Sequence, residues 1–223
     1  MPTKKRSQIV RKLDRPSPGP ACLSNFRHGR NPWSDLKPQD RTQIWQHLVQ
    51  MQGEFCAYCQ CKIDPHSNKS HIEHFYQRNN FPRRTFDWNN LFGSCERKET
   101  CGNYKDNKAK NISPVDICKP DIHEPKDFLQ FIPLSGKVEE KSGLNPIQNL
   151  VAKNTIKAFN LQHSSLVGRR RLAAQTERPS AKFLFECLEE FPNDSHLQQE
   201  LQANISRINN EEFSAIRHAI WTA

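Results

Sequence analysis

Cys56-Ala57-Tyr58-Cys59-Gln60-Cys61, then Ser70-His71-Ile72-Glu73-His74-Phe75, Trp88-Asn89-Asn90-Leu91, and finally Cys95 through Cys101-Gly102-Asn103-Tyr104-Lys105, form the stretch that decides how this 223-residue chain is read. A C-x-x-C knuckle presents two sulfurs from one tight turn and leaves a distant pair to complete a tetrahedral site, the geometry Zn²⁺ prefers. Cys56 and Cys59 make the knuckle, and Cys95 and Cys101 make the second pair. Five residues separate that second pair where zinc ribbons usually have two, so its loop must bulge before returning to the metal. Cys61 competes with Cys59 for one ligand position, and Cys118 is a more distant candidate. Cys22 and Cys187 stand alone and read as ordinary buried thiols.

Around this bracket the chain is polar. Hydrophobic residues make up 35% of it and its mean hydropathy is -0.84, which predicts a modest core supplemented by a metal and by much polar helical surface. No apolar run approaches membrane-spanning length, and the basic N-terminus lacks the apolar region of a secretory signal. The expectation is a soluble cytoplasmic protein with no membrane partner, where a reducing milieu makes paired cysteines more often metal ligands than disulfides.

The net charge of +9 is concentrated at the start. Residues 1–30 carry Lys4, Lys5, Arg6, Arg11, Lys12, Arg15, Arg27 and Arg30 against Asp14, interrupted by Pro16, Pro18 and Pro20. Such an arm suits salt-dependent phosphate contacts, with Lys4, Lys5 and Arg6 at its tip; a solvated tail or a protein-docking arm would look the same.

Four segments follow from the pattern. The basic arm (1–30) leads into a zinc-stapled domain (31–118), a linker or peripheral hairpin (119–145) and a helical extension (146–223). Pro38, then Ile44, Trp45, Leu48 and Met51, with Gly53 beyond, predict an amphipathic helix that feeds the knuckle. A short hairpin over 54–63, a strand over 70–76, a second ordered segment over 86–92 and a polar helix over 102–110 give the order β, β, α. Asn145-Pro146 opens a helix, and further helices are expected around 182–191 and 197–221, broken at Pro192 and N-capped by Asp194 or Ser195. The fold class is α+β.

The residues inside the bracket suit phosphodiester cleavage, which needs a base for water and a cation for the charge developing on phosphate. His74, with an unperturbed pKa near 6.5, is the candidate base. Glu73 offers the hard oxygen that Mg²⁺ or Mn²⁺ prefers, and Asn103 a second one. Neighbours in a regular strand face opposite sides, so Glu73 and His74 share a site only if the strand bulges or ends there. Otherwise His71 and Glu73, two apart, form the metal pair.

Taken together, C-A-Y-C, H-I-E-H-F, W-N-N-L and C-x5-C-G-N-Y-K resemble an HNH endonuclease of the ββα-metal class with a four-cysteine structural zinc. Within that class, R-K-L-D-R-P near the start, the helix before the knuckle and the helical tail resemble the PtuB nucleases of Septu and retron-associated anti-phage systems. The resemblance implies His74 as general base, Glu73 as ligand of the catalytic cation, and Asn90, or Asn89, as the residue that orients the base. Asn103 stands where that family has its final ligand, though two positions after Cys101 instead of one. Arg78 and Lys105 are then placed to meet phosphate. Implied partners are DNA or RNA, a PtuA-type ATPase and, in retrons, a reverse transcriptase with its DNA-RNA product. The competing class is a zinc-stapled nucleic-acid-binding or adaptor subunit that does not cleave.

Overall fold

Pro38 at the first helical position and Asp40, whose Oδ2 accepts from the Lys37 amide at 2.9 Å, start helix α1 (Pro38–Gln52). Gly53 ends it at φ 66, a conformation that glycine adopts without steric cost. Ile44, Leu48 and Met51 bury one face of α1, and Gln52 turns its amide to the neighbouring strand. The structure is a computed structural model that describes residues 12–222, so the expectation for Lys4, Lys5 and Arg6 lies outside the described residues.

Strands β1 (Ser70–His74) and β2 (Leu91–Cys95) pair antiparallel with Ser70 opposite Cys95 and Glu73 opposite Phe92, and helix α2 (Cys101–Lys108) follows. The expected β, β, α order is present. A single bridge, Phe55 to Lys62, stands where a hairpin was expected, because the chain must curl tightly to present Cys56 and Cys59. Strand β1 ends at His74 instead of continuing to Tyr76. The segment ahead of β2 is a 3-10 turn (Trp88–Asn90) capped by Asp87, whose side chain accepts from Asn89 N.

Gly93 shows why α1 and β2 sit so close. A Cβ there would lie 2.7 Å from the Trp45 ring and 2.8 Å from Gln52 Nε2. Gln52 uses the space: Gly93 N donates to its Oε1 at 2.9 Å and its Nε2 donates to Gly93 O at 2.9 Å.

Hairpin β3 (Leu129–Ile132) with β4 (Lys137–Glu140) occupies the stretch expected to be linker or hairpin. Helices α3 (Pro146–Ala158), α4 (Ser164–Glu190), α5 (Ser195–Ile208) and α6 (Ser214–Trp221) complete the described chain. Asn145 and Gln148 make a reciprocal capping box on α3, and Asp194 caps α5 through the amides of His196 and Leu197. Two boundaries differ from expectation. Helix α4 begins well before residue 182 and runs through Pro179, held on both sides by buried Ala173, Ala174, Ala181 and Leu184. The expected helix over 197–221 is two helices, separated by a turn at whose end Phe213 takes φ 57.

The core is continuous from Cys22 and Leu23 through the cysteine cluster to Leu166, Ala174 and Ile216. The described part of the basic arm therefore packs into the molecule. Arg15 carries this: its Nε lies 2.6 Å from Asp121 Oδ2, its Nη1 donates to Trp88 O at 2.6 Å and Leu91 O at 3.1 Å, and its guanidinium lies over the Trp88 and Phe92 rings.

Candidate metal centre and adjoining polar cavity

The knuckle and the second cysteine pair meet at the edge of the β1/β2 sheet. Sγ atoms of Cys56, Cys59, Cys95 and Cys101 all lie within 4.8 Å of one another and all four residues are buried. Tetrahedral zinc thiolates with Zn–S near 2.3 Å place sulfurs roughly 3.8 Å apart, so the donor set, its spacing and its burial fit a structural zinc. Cys101 begins α2 at φ 58, and Cys101 N donates to Phe159 O at 2.9 Å, which is how the five-residue loop returns its thiol to the cluster. Cys61 is also buried, its sulfur 3.2 Å from that of Cys59, but it lies outside the mutually close four. Cys118 lies apart, its amide bonded to Thr155. Hydrogen bonding by Cys101 is the main influence that holds the Cys95 thiol down to about 5, whereas burial pushes Cys101 up.

Beside the cluster is a polar cavity of about 210 Å³, lined by His71, Glu73, His74, Arg78, Asn103 and Asp106 among others. It includes four of the expected site residues and His71, the alternative metal-pair histidine, and adds Asp106. Every residue from His71 to His74 borders this cavity, so adjacent Glu73 and His74 both line it at the end of β1.

His74 is only 5% exposed, and its Nε2 lies 3.0 Å from Thr85 O. A carbonyl can only accept, so Nε2 carries the proton and Nδ1 keeps its lone pair. Burial, chiefly, holds the imidazole pKa down to about 3, with Arg78 and Lys105 pushing the same way against the Thr85 contact. The ring is therefore neutral at pH 7. Trp33 meets it edge to face with centroids 4.4 Å apart.

Asn90 is fully buried and clamps the loop that carries Thr85. Tyr76 N donates to Asn90 Oδ1 at 2.7 Å, while Asn90 Nδ2 donates to Tyr76 O and Arg84 O, each at 3.0 Å. Asn89, its alternative, is exposed and serves only the Asp87 turn.

Glu73 is 2% exposed. Its Oε1 lies 2.8 Å from Lys105 Nζ and its Oε2 accepts from Tyr58 OH. Burial raises its pKa, opposed by the Lys105 charge. Lys105, expected at the phosphate, turns inward: Nζ donates to His74 O at 3.1 Å and pairs with Asp106. Although burial alone would lower it, Glu73 and Asp106 raise the Lys105 pKa. Arg78 does sit at the cavity, over the Trp33 ring. Asn103 Nδ2 donates to Glu96 Oε1 at 3.3 Å, an arrangement that leaves its Oδ1 facing no described donor.

Two participants were missed from sequence. Tyr58, inside the C-A-Y-C knuckle and stacked on Phe159 with centroids 4.0 Å apart, ties the cysteine cluster to Glu73. Glu96, directly after Cys95, reaches both His71 and Asn103. Their signal was only proximity in sequence to the cysteines.

Fold and site thus define a mixed α/β protein with a four-cysteine centre compatible with zinc and a histidine-carboxylate cavity beside it. No protein-family model matches the chain. Its sequence is similar to the Septu protein PtuB of Bacillus thuringiensis, with 26% identity over 145 residues, which are 65% of this chain and 51% of that protein. The chain spans about half the length of the curated relative it matches. Among the described residues no helix is long and apolar enough to cross a membrane.

Proposed function

We propose that this chain is a metal-dependent HNH endonuclease that cleaves phosphodiester bonds and serves as effector of a Septu-like anti-phage system. The observation that carries the reading is His74, neutral, with Nε2 fixed on Thr85 O by the Asn90 clamp and Nδ1 left to accept a proton beside Glu73. In this reading the β1, β2, α2 unit is the ββα-metal core and the cysteines hold a structural Zn²⁺. Glu73 and Asn103 would hold a Mg²⁺ or Mn²⁺ ion, which supplies charge neutralisation at phosphate when bound. His74 takes a proton from water as it attacks phosphorus, Asn90 acts through Thr85 as a positioning residue, and Arg78 draws the phosphate to the cavity.

Similarity to PtuB supports a Septu-like role in anti-phage defence, for which a PtuA-type ATPase is the expected partner; a retron reverse transcriptase with its DNA-RNA product is expected from the motif resemblance alone. The outward-facing apolar residues Leu172 and Phe183 on α4 give such a partner a place to dock. One observation favours a second reading, a zinc-stapled adaptor that does not cleave: Lys105 already neutralises Glu73.

Purified zinc-loaded chain, together with its genomic neighbours, incubated with Mn²⁺ or Mg²⁺ and with DNA and RNA separates the two. The nuclease reading expects new nucleic-acid ends that disappear in His74→Ala while zinc content and the thermal melt hold. Full cleavage by His74→Ala, or no cleavage by the activated wild-type complex, would overturn it.

A further inference from the structure

His71 lies two residues before Glu73 on β1 and faces the same side of the strand. Its Nδ1 is 2.6 Å from Glu96 Oε2. The Glu96 carboxylate thus borders Nδ1, and Nε2 is the ring nitrogen left to meet a ligand in the cavity that His71 lines. Gly102 places Nε2 beside Glu73: a Cβ on Gly102 would lie 3.2 Å from His71 Nε2, 3.2 Å from Glu73 Cδ and 2.3 Å from Glu73 Cγ. Glycine at 102 lets α2 close on β1 at this point, where an imidazole nitrogen and a carboxylate lie side by side and both line the polar cavity. Asn103 follows on the first turn of α2 and joins the same Glu96 through its Nδ2.

Carboxylate, histidine and a second ligand in this order form the arrangement by which proteins fix the tautomer and raise the basicity of a metal-binding imidazole. We propose that His71 is a nitrogen ligand of the catalytic cation, oriented by Glu96, and that the site consequently selects a first-row transition dication over Mg²⁺. Mg²⁺ takes oxygen donors and gives up water reluctantly, whereas imidazole nitrogen favours transition ions. Glu73 can join despite its existing contacts, since a carboxylate has about four lone-pair positions and Lys105 and Tyr58 use two. Asp106, beside Lys105, offsets part of the positive charge that a cation would meet. This assignment rests on the proposed cation-dependent nuclease reading.

The test uses the zinc-loaded full chain carrying His74→Ala, which removes turnover and the other imidazole of the cavity. Mn²⁺ binding is followed by electron paramagnetic resonance titration, and nitrogen coordination by the ¹⁴N modulation of the bound ion's spin echo. The expected result is one Mn²⁺ with a nitrogen signal. Adding His71→Asn should abolish that signal and weaken Mn²⁺ roughly 10- to 100-fold while Mg²⁺ competition changes less than about twofold, and adding Glu96→Gln should weaken Mn²⁺ by a smaller factor. If Glu73→Gln abolishes Mn²⁺ binding but His71→Asn leaves the signal and affinity intact, the ligand assignment is wrong and the nuclease reading survives. If Mn²⁺ does not bind, or binds independently of Glu73, both fall.

Discussion

Acidification from pH 7 to pH 5 should cost the folded protein about 2 kcal/mol through His74 alone. His74 is held at a pKa of about 3, chiefly by burial, against roughly 6.5 in an unfolded chain. A base whose folded pKa is depressed contributes stability that is whole above its unfolded value and is lost as pH falls from there toward the folded one. At pH 5 the unfolded imidazole is almost fully protonated and the folded one almost fully neutral, so the loss is close to 1.4 kcal/mol for each pH unit below about 6.5. Any folded pKa below about 4 gives nearly the same ~2 kcal/mol, because at pH 5 the folded ring is then already neutral. Urea unfolding of zinc-loaded protein at both pH values measures it, with His74→Gln as the reference: the glutamine amide can still donate to Thr85 O but does not titrate. Acid effects on the cysteine centre are common to both proteins and cancel in the comparison. Wild type should lose about 2 kcal/mol more than His74→Gln between pH 7 and pH 5. Equal losses would mean that His74 titrates normally in the folded state, and the picture of a buried, tautomer-locked base would be refuted.

Three other perturbations probe the supports of the site. Asn90→Ala breaks bonds to Tyr76 and Arg84 inside a fully buried pocket and should destabilise by roughly 2 to 5 kcal/mol, while the His74 ring resonances broaden as Thr85 is freed, as NMR would show. Gly102→Ala puts a methyl 2.3 Å from Glu73 Cγ, and the displacement should cost about 1 to 3 kcal/mol in a thermal melt and lower divalent-cation affinity; an unchanged affinity would mean that Glu73 can move freely. Cys95→Ser removes one of four close thiols and should eliminate bound zinc, by mass spectrometry or a chelator assay, along with cooperative unfolding, since structural zinc contributes on the order of 10 kcal/mol in small domains.

Features governed by neighbours in sequence were legible without coordinates. Pro38 and Gly53 bound α1, Asn145 and Asp194 cap their helices, and the C-x-x-C spacing puts Cys56 and Cys59 together. What sequence could not convey were partners brought in from far along the chain. Arg15 counted as one charge of a phosphate-binding arm, yet its guanidinium is spent on Asp121 and two carbonyls more than seventy residues away. Lys105 looked like a surface cation, and only the approach of α2 to β1 shows that it faces Glu73. Helix α4 was expected only around 182–191, yet it starts at Ser164 and passes through Pro179, with Glu177 at its buried face gathering Arg207, Arg217 and Trp221. Burial opposes the ionisation of Glu177, and these donors outweigh it and lower its pKa.

Those long-range contacts bear on how the helical extension should be understood. Gln60, at φ 64 in the knuckle, accepts from Phe213 N at 3.1 Å through its backbone oxygen and from Ala215 N at 3.2 Å through Oε1. On the other side of the cluster, Cys101 N is held by Phe159 O at the end of α3. Arg170, buried on α4, donates to Leu161 O at 2.7 Å, and although burial lowers its pKa, the cysteines Cys59, Cys101 and Cys61 pull it back. Both arms of the cysteine centre are thus gripped by the extension, which also places a buried cation near sulfurs that carry net negative charge when they bind a dication. A segment so tied to the metal centre cannot act as a detached docking tail. A partner that engaged the exposed Leu172 and Phe183 would bind the same helix whose buried Arg170 lies near the cysteine centre. Metal loss should loosen α6 from Gln60 as the knuckle opens.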